Sequence, residues 1–183
     1  MRKGSFIIAA AGLMILLSSC GGGSETRVIN TVAGNNKHKI KQLPDGTISL
    51  NVEKAHCYSD MNDPSGNTAE WSVVASKSGR YDVWISSATK DTTDLKYKNK
   101  VLVSVQDTRI EAKPSCDKII QDAQDVNYPY FRADSFLGSM YIQDTGLFNV
   151  QIISEKILPK DYNIESEADI AKLLSVSFTP KLR

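Results

Sequence analysis

From Gly46 onward, apolar residues recur at every second position with few interruptions. Ile48, Leu50 and Val52 alternate with Ser49, Asn51 and Glu53. The apolar set then changes parity to Ala55 and Cys57, which predicts a bulge or break near Lys54. Trp71, Val73 and Ala75 alternate next, and Ser78-Gly79 turns the chain into Tyr81, Val83 and Ile85. Val101, Val103 and Val105 follow a polar loop, and Met140 and Ile142 precede the turn signal Asp144-Thr145-Gly146. Phe148, Val150 and Ile152 continue the pattern, and Leu174, Val176 and Phe178 close it before Pro180. A period of two punctuated by Gly, Asp and Ser predicts a mainly β domain, an antiparallel β-sandwich or jelly roll. Only residues 165–174 read as a short helix, with Ser166 as its cap and Asp169 three residues on.

The same parity sorts the polar positions. If Tyr81, Val83 and Ile85 face the core, Trp84 faces outward with Asp82 and Ser86. Ser104, Gln106, Asn149 and Gln151 are expected to face outward on their own strands. A large indole on a solvent face needs a reason. Either the tether or the 156–170 segment covers Trp84, or it packs, among amide side chains, against a polyhydroxylated ligand.

Ahead of the alternating region, Phe6 to Leu17 form an apolar run behind Arg2 and Lys3, the layout of a secretory signal. The run ends in Leu17-Ser18-Ser19-Cys20, which resembles the lipobox of bacterial lipoproteins. That resemblance implies a signal peptide over residues 1–19, cleavage before Cys20 and lipidation, palmitate included, at Cys20. Several acyl chains hold a protein firmly to a bilayer where one does not. Residues 20–45, opening with Gly21-Gly22-Gly23-Ser24, read as a flexible tether, and residues 46–183 as the sandwich domain. The expected location is extracytoplasmic and membrane-anchored, on the outer membrane, facing either the periplasm or the cell surface. With 22 Lys plus Arg against 21 Asp plus Glu, and no basic cluster with interleaved aromatics, the chain lacks a nucleic-acid footprint.

With Cys20 lipidated, Cys57 and Cys116 remain as an even pair in an oxidising compartment. They are either bridged or two thiols; a bridge would close a loop of roughly 60 residues, worth about 4 kcal/mol in the chain-entropy model. Catalytic chemistry has little to stand on. The two histidines are His38, in the tether, and His56, and no Gly-x-Ser-x-Gly elbow accompanies them. A zinc site would have to use His56, Cys57 and Cys116 without Cys-x-x-Cys spacing. Asp60-x-Asn62 opens like a calcium loop, but Pro64 occupies a ligand position and Gly66 comes one residue late. No enzyme activity is expected.

Several segments in order resemble the galactose-binding-like jelly rolls, particularly carbohydrate-binding modules of families 6 and 35. They are Val52-Glu53-Lys54-Ala55, Glu70-Trp71-Ser72-Val73-Val74 and Gly79-Arg80-Tyr81-Asp82-Val83. Leu137-Gly138-Ser139-Met140-Tyr141-Ile142, Gly146-Leu147-Phe148-Asn149-Val150 and Leu174-Ser175-Val176-Ser177-Phe178-Thr179-Pro180 complete the set. The resemblance implies a galactose-binding-like fold over roughly residues 46–181. It also implies an acidic calcium ligand in the first strand, a position that Glu53 matches. The last strand offers no acidic or amide partner, so calcium at Glu53 stays a minor expectation beside the default of no cofactor. Related modules carry a sugar-stacking aromatic in the loop before the Leu-Gly strand, where Tyr128 and Tyr130 flank Pro129. Asp60, Asn62, Asp63 and Asn67, in a loop expected to lie opposite, are candidate partners for sugar hydroxyls. The expected function is non-catalytic capture of a glycan or polysaccharide, or its presentation to a companion transporter or hydrolase. The alternative is a protein-interaction or structural module with the same fold and no sugar.

Overall fold

A computed structural model describes residues 39–159 and 171–181. Eleven strands appear among these residues: β1 (Ile40–Lys41), β2 (Ile48–Asn51), β3 (His56–Tyr58), β4 (Thr68–Ala75), β5 (Gly79–Thr89) and β6 (Val101–Val105), then β7 (Thr108–Ala112), β8 (Lys118–Ile120), β9 (Phe131–Ile142), β10 (Gly146–Ile153) and β11 (Lys172–Pro180). They form two sheets. The six-stranded sheet runs β1-β4-β10-β6-β7, with β3 also on β4, and the five-stranded sheet runs β2-β11-β5-β9-β8. All pairings are antiparallel except β1 with β4. The predicted mainly β sandwich is the observed fold.

Alternation explains the layering. Ala69, Trp71, Val73, Val103, Val150 and Ile152 face inward from one sheet, and Ile48, Leu50, Tyr81, Val83, Ile85, Val176 and Phe178 from the other, all essentially free of solvent. Burying each large side chain contributes about 1.5–3 kcal/mol, so the two inner faces hold the sheets together. Polar atoms carried into the core find partners: Trp71 Nε1 donates to Asn51 O at 2.8 Å, and Tyr81 Oη to Lys77 O at 2.8 Å.

Several sequence expectations change. The sandwich begins earlier than residue 46, because Ile40 and Lys41 pair with Val73 and Val74. Gln42 then locks the entry, its Nε2 donating to Gly46 O and Tyr81 Oη and its Oε1 accepting from Ser76 N and Lys77 N. The parity change after Val52 is a short 3-10 turn, Val52–Lys54, capped by Asn51. Lys172 to Leu174, expected as the end of a helix, belong to β11; residues 160–170 lie outside the described residues. Within β11 the register slips between Leu173 and Ser175. Leu173 therefore takes the buried position expected of Leu174. β7 and β8 were not anticipated from the sequence.

Of the two alternatives for Cys57 and Cys116, the structure has the thiols: no bridge joins them. Cys57 is exposed on β3, at the edge of the six-stranded sheet, with Sγ 3.6 Å from Val52 O. Cys116 precedes β8, at the edge of the other sheet, and packs partly against the core. Burial, and then the carboxylates of Asp91, Asp94 and Asp117, push its thiol pKa up. The two cysteines thus belong to different layers.

Candidate functional site

The outer face of the five-stranded sheet carries the most distinctive chemistry among the described residues. Strands β5 and β9 pair in long register, so their outward side chains stand in rows: Arg80 beside Tyr141, Asp82 beside Ser139, Trp84 beside Phe136 and Ser86 beside Asp134. A bulge shifts β9 between its pairings to Val83 and Trp84, leaving Leu137 as the extra residue and Gly138 at φ 136°. Inward positions therefore change from Ala133, Ser135 and Leu137 to Met140 and Ile142. The bulge also sets Phe136 directly opposite Trp84. Their ring centroids are 5.1 Å apart with planes tilted by 50°, a favourable aromatic arrangement.

Trp84 is partly exposed, as the parity argument predicted, and Phe136 is 41% exposed. On its β11 side Trp84 is flanked by Ser177, which pairs in turn with Ser49 of β2. The next row reads Asn51, Ser175, Ser86 and Asp134, of which Ser86 is itself buried. Short hydroxyl side chains beside two aromatic rings make an apolar crest over a low polar floor. Lys118 reaches in from β8 and holds its ammonium 4.5 Å from the Trp84 ring centroid. The expected setting of Trp84 is corrected in one respect. Ser104, Asn149 and Gln151 lie on β6 and β10 of the other sheet, so the neighbours of Trp84 are serines and not those amides. Gln106 sits in the β6–β7 turn at φ 51°, its amide engaged with Gln143 and Asp144.

Other predicted residues fall at the end of the sandwich where β4 begins and β5 finishes. Thr89, the last residue of β5, pairs with Phe131, the first of β9, which places the 121–130 loop there. Tyr128 is 91% exposed, while Tyr130 is partly buried with the Lys90 ammonium 4.9 Å from its ring. The loop before β4 reaches the same end. Asn67 there is fully buried: Oδ1 accepts from Asp60 N at 2.7 Å, and Nδ2 donates to Ile157 O at 2.8 Å. Its amide holds the loop together and has no face left for a ligand. Asp60 accepts from Asn62 N and Asp63 from Ser65 Oγ, each folding its own turn. Glu53 is exposed on the 3-10 turn, and no group of three or more His, Cys, Asp or Glu among the described residues is placed to hold a metal. Cys20 lies outside the described residues.

Phe136 and Lys118 were missed in the sequence. The signal for Phe136 was present: it is out of phase with Ala133, Ser135 and Leu137, as Trp84 is with its neighbours. Lys118 had none, because its strand is three residues long.

The arrangement defines a β-sandwich with an aromatic and polar outer face. No family model matches the chain, and no curated protein matches it. Among solved structures it is similar to an α-L-fucosidase from Vibrio sp. strain EJY3, at a TM-score of 0.63 and 20% identity over 79% of this chain. The chain spans 24% of that enzyme's length. The likeness is one of fold. Weaker likenesses are to a Podospora anserina GH26-CBM35 β-(1,4)-mannanase (TM-score 0.45, 11% identity, 76% of this chain and 28% of that one) and to the insecticidal crystal protein CRY2AA (TM-score 0.46, 11% identity, 74% and 21%).

Proposed function

We propose that the chain is a non-catalytic carbohydrate-binding module, anchored outside the cytoplasm by lipid on Cys20, which captures glycans or presents them to a companion transporter or hydrolase. The observation that carries the reading is the Trp84–Phe136 pair standing over Ser177, Ser49 and Ser175 on an outer sheet face. Sugar rings offer C–H faces that pack on aromatic rings and hydroxyls that need short polar partners, and this face supplies both. Occurrence of a similar sandwich within a fucosidase supports a carbohydrate setting. The 121–130 loop, with Tyr128 and Tyr130, is a secondary contact at one end of the domain.

A glycan array on the full chain in detergent tests the reading, with Trp84→Ala, Phe136→Ala and Tyr128→Ala alongside. Specific binding that Trp84→Ala and Phe136→Ala abolish and Tyr128→Ala only weakens is the expected result. Absence of any glycan signal would leave a protein-interaction role in its place. For the anchor, Cys20→Ala should release the protein from the membrane fraction; persistent membrane association would defeat that part.

A further inference from the structure

We infer that Lys118 makes the Trp84 face selective for glycans carrying an anionic substituent, a carboxylate or a sulfate ester, on the sugar unit that packs against the indole. The inference rests on the glycan reading above and names the ligand class for the same face.

Lys118 is exposed, and its ammonium lies over the Trp84 ring, so it occupies space that a stacked sugar needs. A neutral sugar would have to evict the cation and forfeit its attraction to the ring. A sugar bearing an anion can keep it, moved to the ring edge and engaged in a charge-assisted hydrogen bond. The nearby carboxylates do not compete for that ammonium. Asp134, opposite Lys118 in the sheet, is held by Arg132, with Nε to Oδ1 at 2.8 Å and Nη2 to Oδ2 at 3.3 Å. Asp117 accepts from Phe136 N at 2.7 Å and Ser115 Oγ at 2.8 Å. Asp82 accepts from Ser139 Oγ and lies 3.5 Å from Lys181 Nζ. Lys118 has no ion-pair partner among the described residues.

Positive charge continues along the same face. Arg80, exposed beside Tyr141, stands four residues from Trp84 on β5, about 13 Å away at a rise of about 3.3 Å per residue. Arg80 and Tyr141 line a cleft together with Lys77, Asp45 and the Lys181 that pairs with Asp82, which leaves the cleft net positive. A chain with repeated anionic units would meet Lys118 at one position and Arg80 at another.

The test measures binding of the full chain in detergent to two matched pairs: polygalacturonate against its methyl ester, and a sulfated galactan against the same polymer desulfated. Expected is at least a tenfold preference for the charged member of one pair, which also says whether the anion is carboxylate or sulfate. That preference should shrink in high salt, disappear in Lys118→Gln and persist in Lys118→Arg. Equal affinity for charged and neutral members, binding by neutral glycans only, or a preference unchanged in Lys118→Gln overturns the inference and leaves the glycan reading standing. Failure to bind these four polymers and every glycan on the array overturns both. Circular dichroism of Lys118→Gln checks that the exposed substitution leaves the fold intact.

Discussion

Trp71 and Trp84 sit on consecutive strands under the same alternation, and one parity step separates a core wall from a solvent crest. Trp71 is 2% exposed, and its N–H is fixed to Asn51 O, so every group around it belongs to the fold. Trp84 is bordered by Phe136, Ser177 and the Lys118 ammonium, none of which belongs to the hydrophobic core. Tyr128 is more exposed still, at 91%, but stands alone, without the ring contact that Trp84 makes with Phe136. Trp84 stands out because an outward indole keeps a ring partner and a cation beside it at the surface.

The largest effect that could break this contrast is on the buried side. Trp71→Ala should cost about 3–5 kcal/mol in urea unfolding, because the enclosed ring leaves a cavity and Asn51 O loses its donor. A loss below about 1 kcal/mol would mean that the site collapses freely and that Trp71 does not wall the core. Gly138→Ala comes next, at about 1–3 kcal/mol. Its added methyl would meet only Ile110 side-chain atoms at 3.7 Å, ordinary contact, so the cost lies in the backbone at φ 136°. Because Gly138 forms the bulge that places Phe136 against Trp84, the variant should also shift Trp84 fluorescence. Unchanged emission with lowered stability would separate the bulge from the aromatic pair.

How much of this was legible in the sequence differs between the two tryptophans. Parity assigned both sides of β4 and β5, because one buried face per strand repeats every two residues. It placed Trp71 inward and Trp84 outward. What parity cannot say is which sheet a strand joins, and that decided the neighbours of Trp84. Asn149 and Gln151 were outward as expected but on the opposite layer. Bulges were the second blind spot: in β11 the slip at Leu174 exchanged Leu173 for it in the core, and in β9 the slip at Leu137 reset the phase. Asn67 shows a third limit. Its loop position matched a polar ligand contact, while the bond from its Nδ2 to Ile157 O spans 90 positions and leaves no local trace.

On the exposed side the effects on stability should be small and those on binding large. Trp84→Ala should lower stability by about 1–2.5 kcal/mol, since an aromatic pair contributes about 0.5–1.5 kcal/mol and an exposed cation–π contact about 0.5–1 kcal/mol. A double-mutant cycle with Phe136→Ala isolates the ring pair. A cost near that of Trp71→Ala would show that Trp84 is structural, and would erase the contrast from which the glycan reading starts.

The smallest expected effect tests whether the two outer faces differ. Asn149 is exposed on β10, its Oδ1 accepting from Ser72 Oγ at 3.1 Å across the strand pair. That bond is open to water, so Asn149→Ala should change stability by no more than about 0.5 kcal/mol. It should also leave glycan affinity as it was, because the six-stranded sheet turns this position away from the Trp84 face. Trp84→Ala and Asn149→Ala assayed against the same glycan give the sharpest form of the comparison. If both abolish binding, the ligand contacts both layers and the site cannot be confined to one sheet. If only Asn149→Ala does, the outward indole is incidental, and the amides of the opposite sheet carry the recognition.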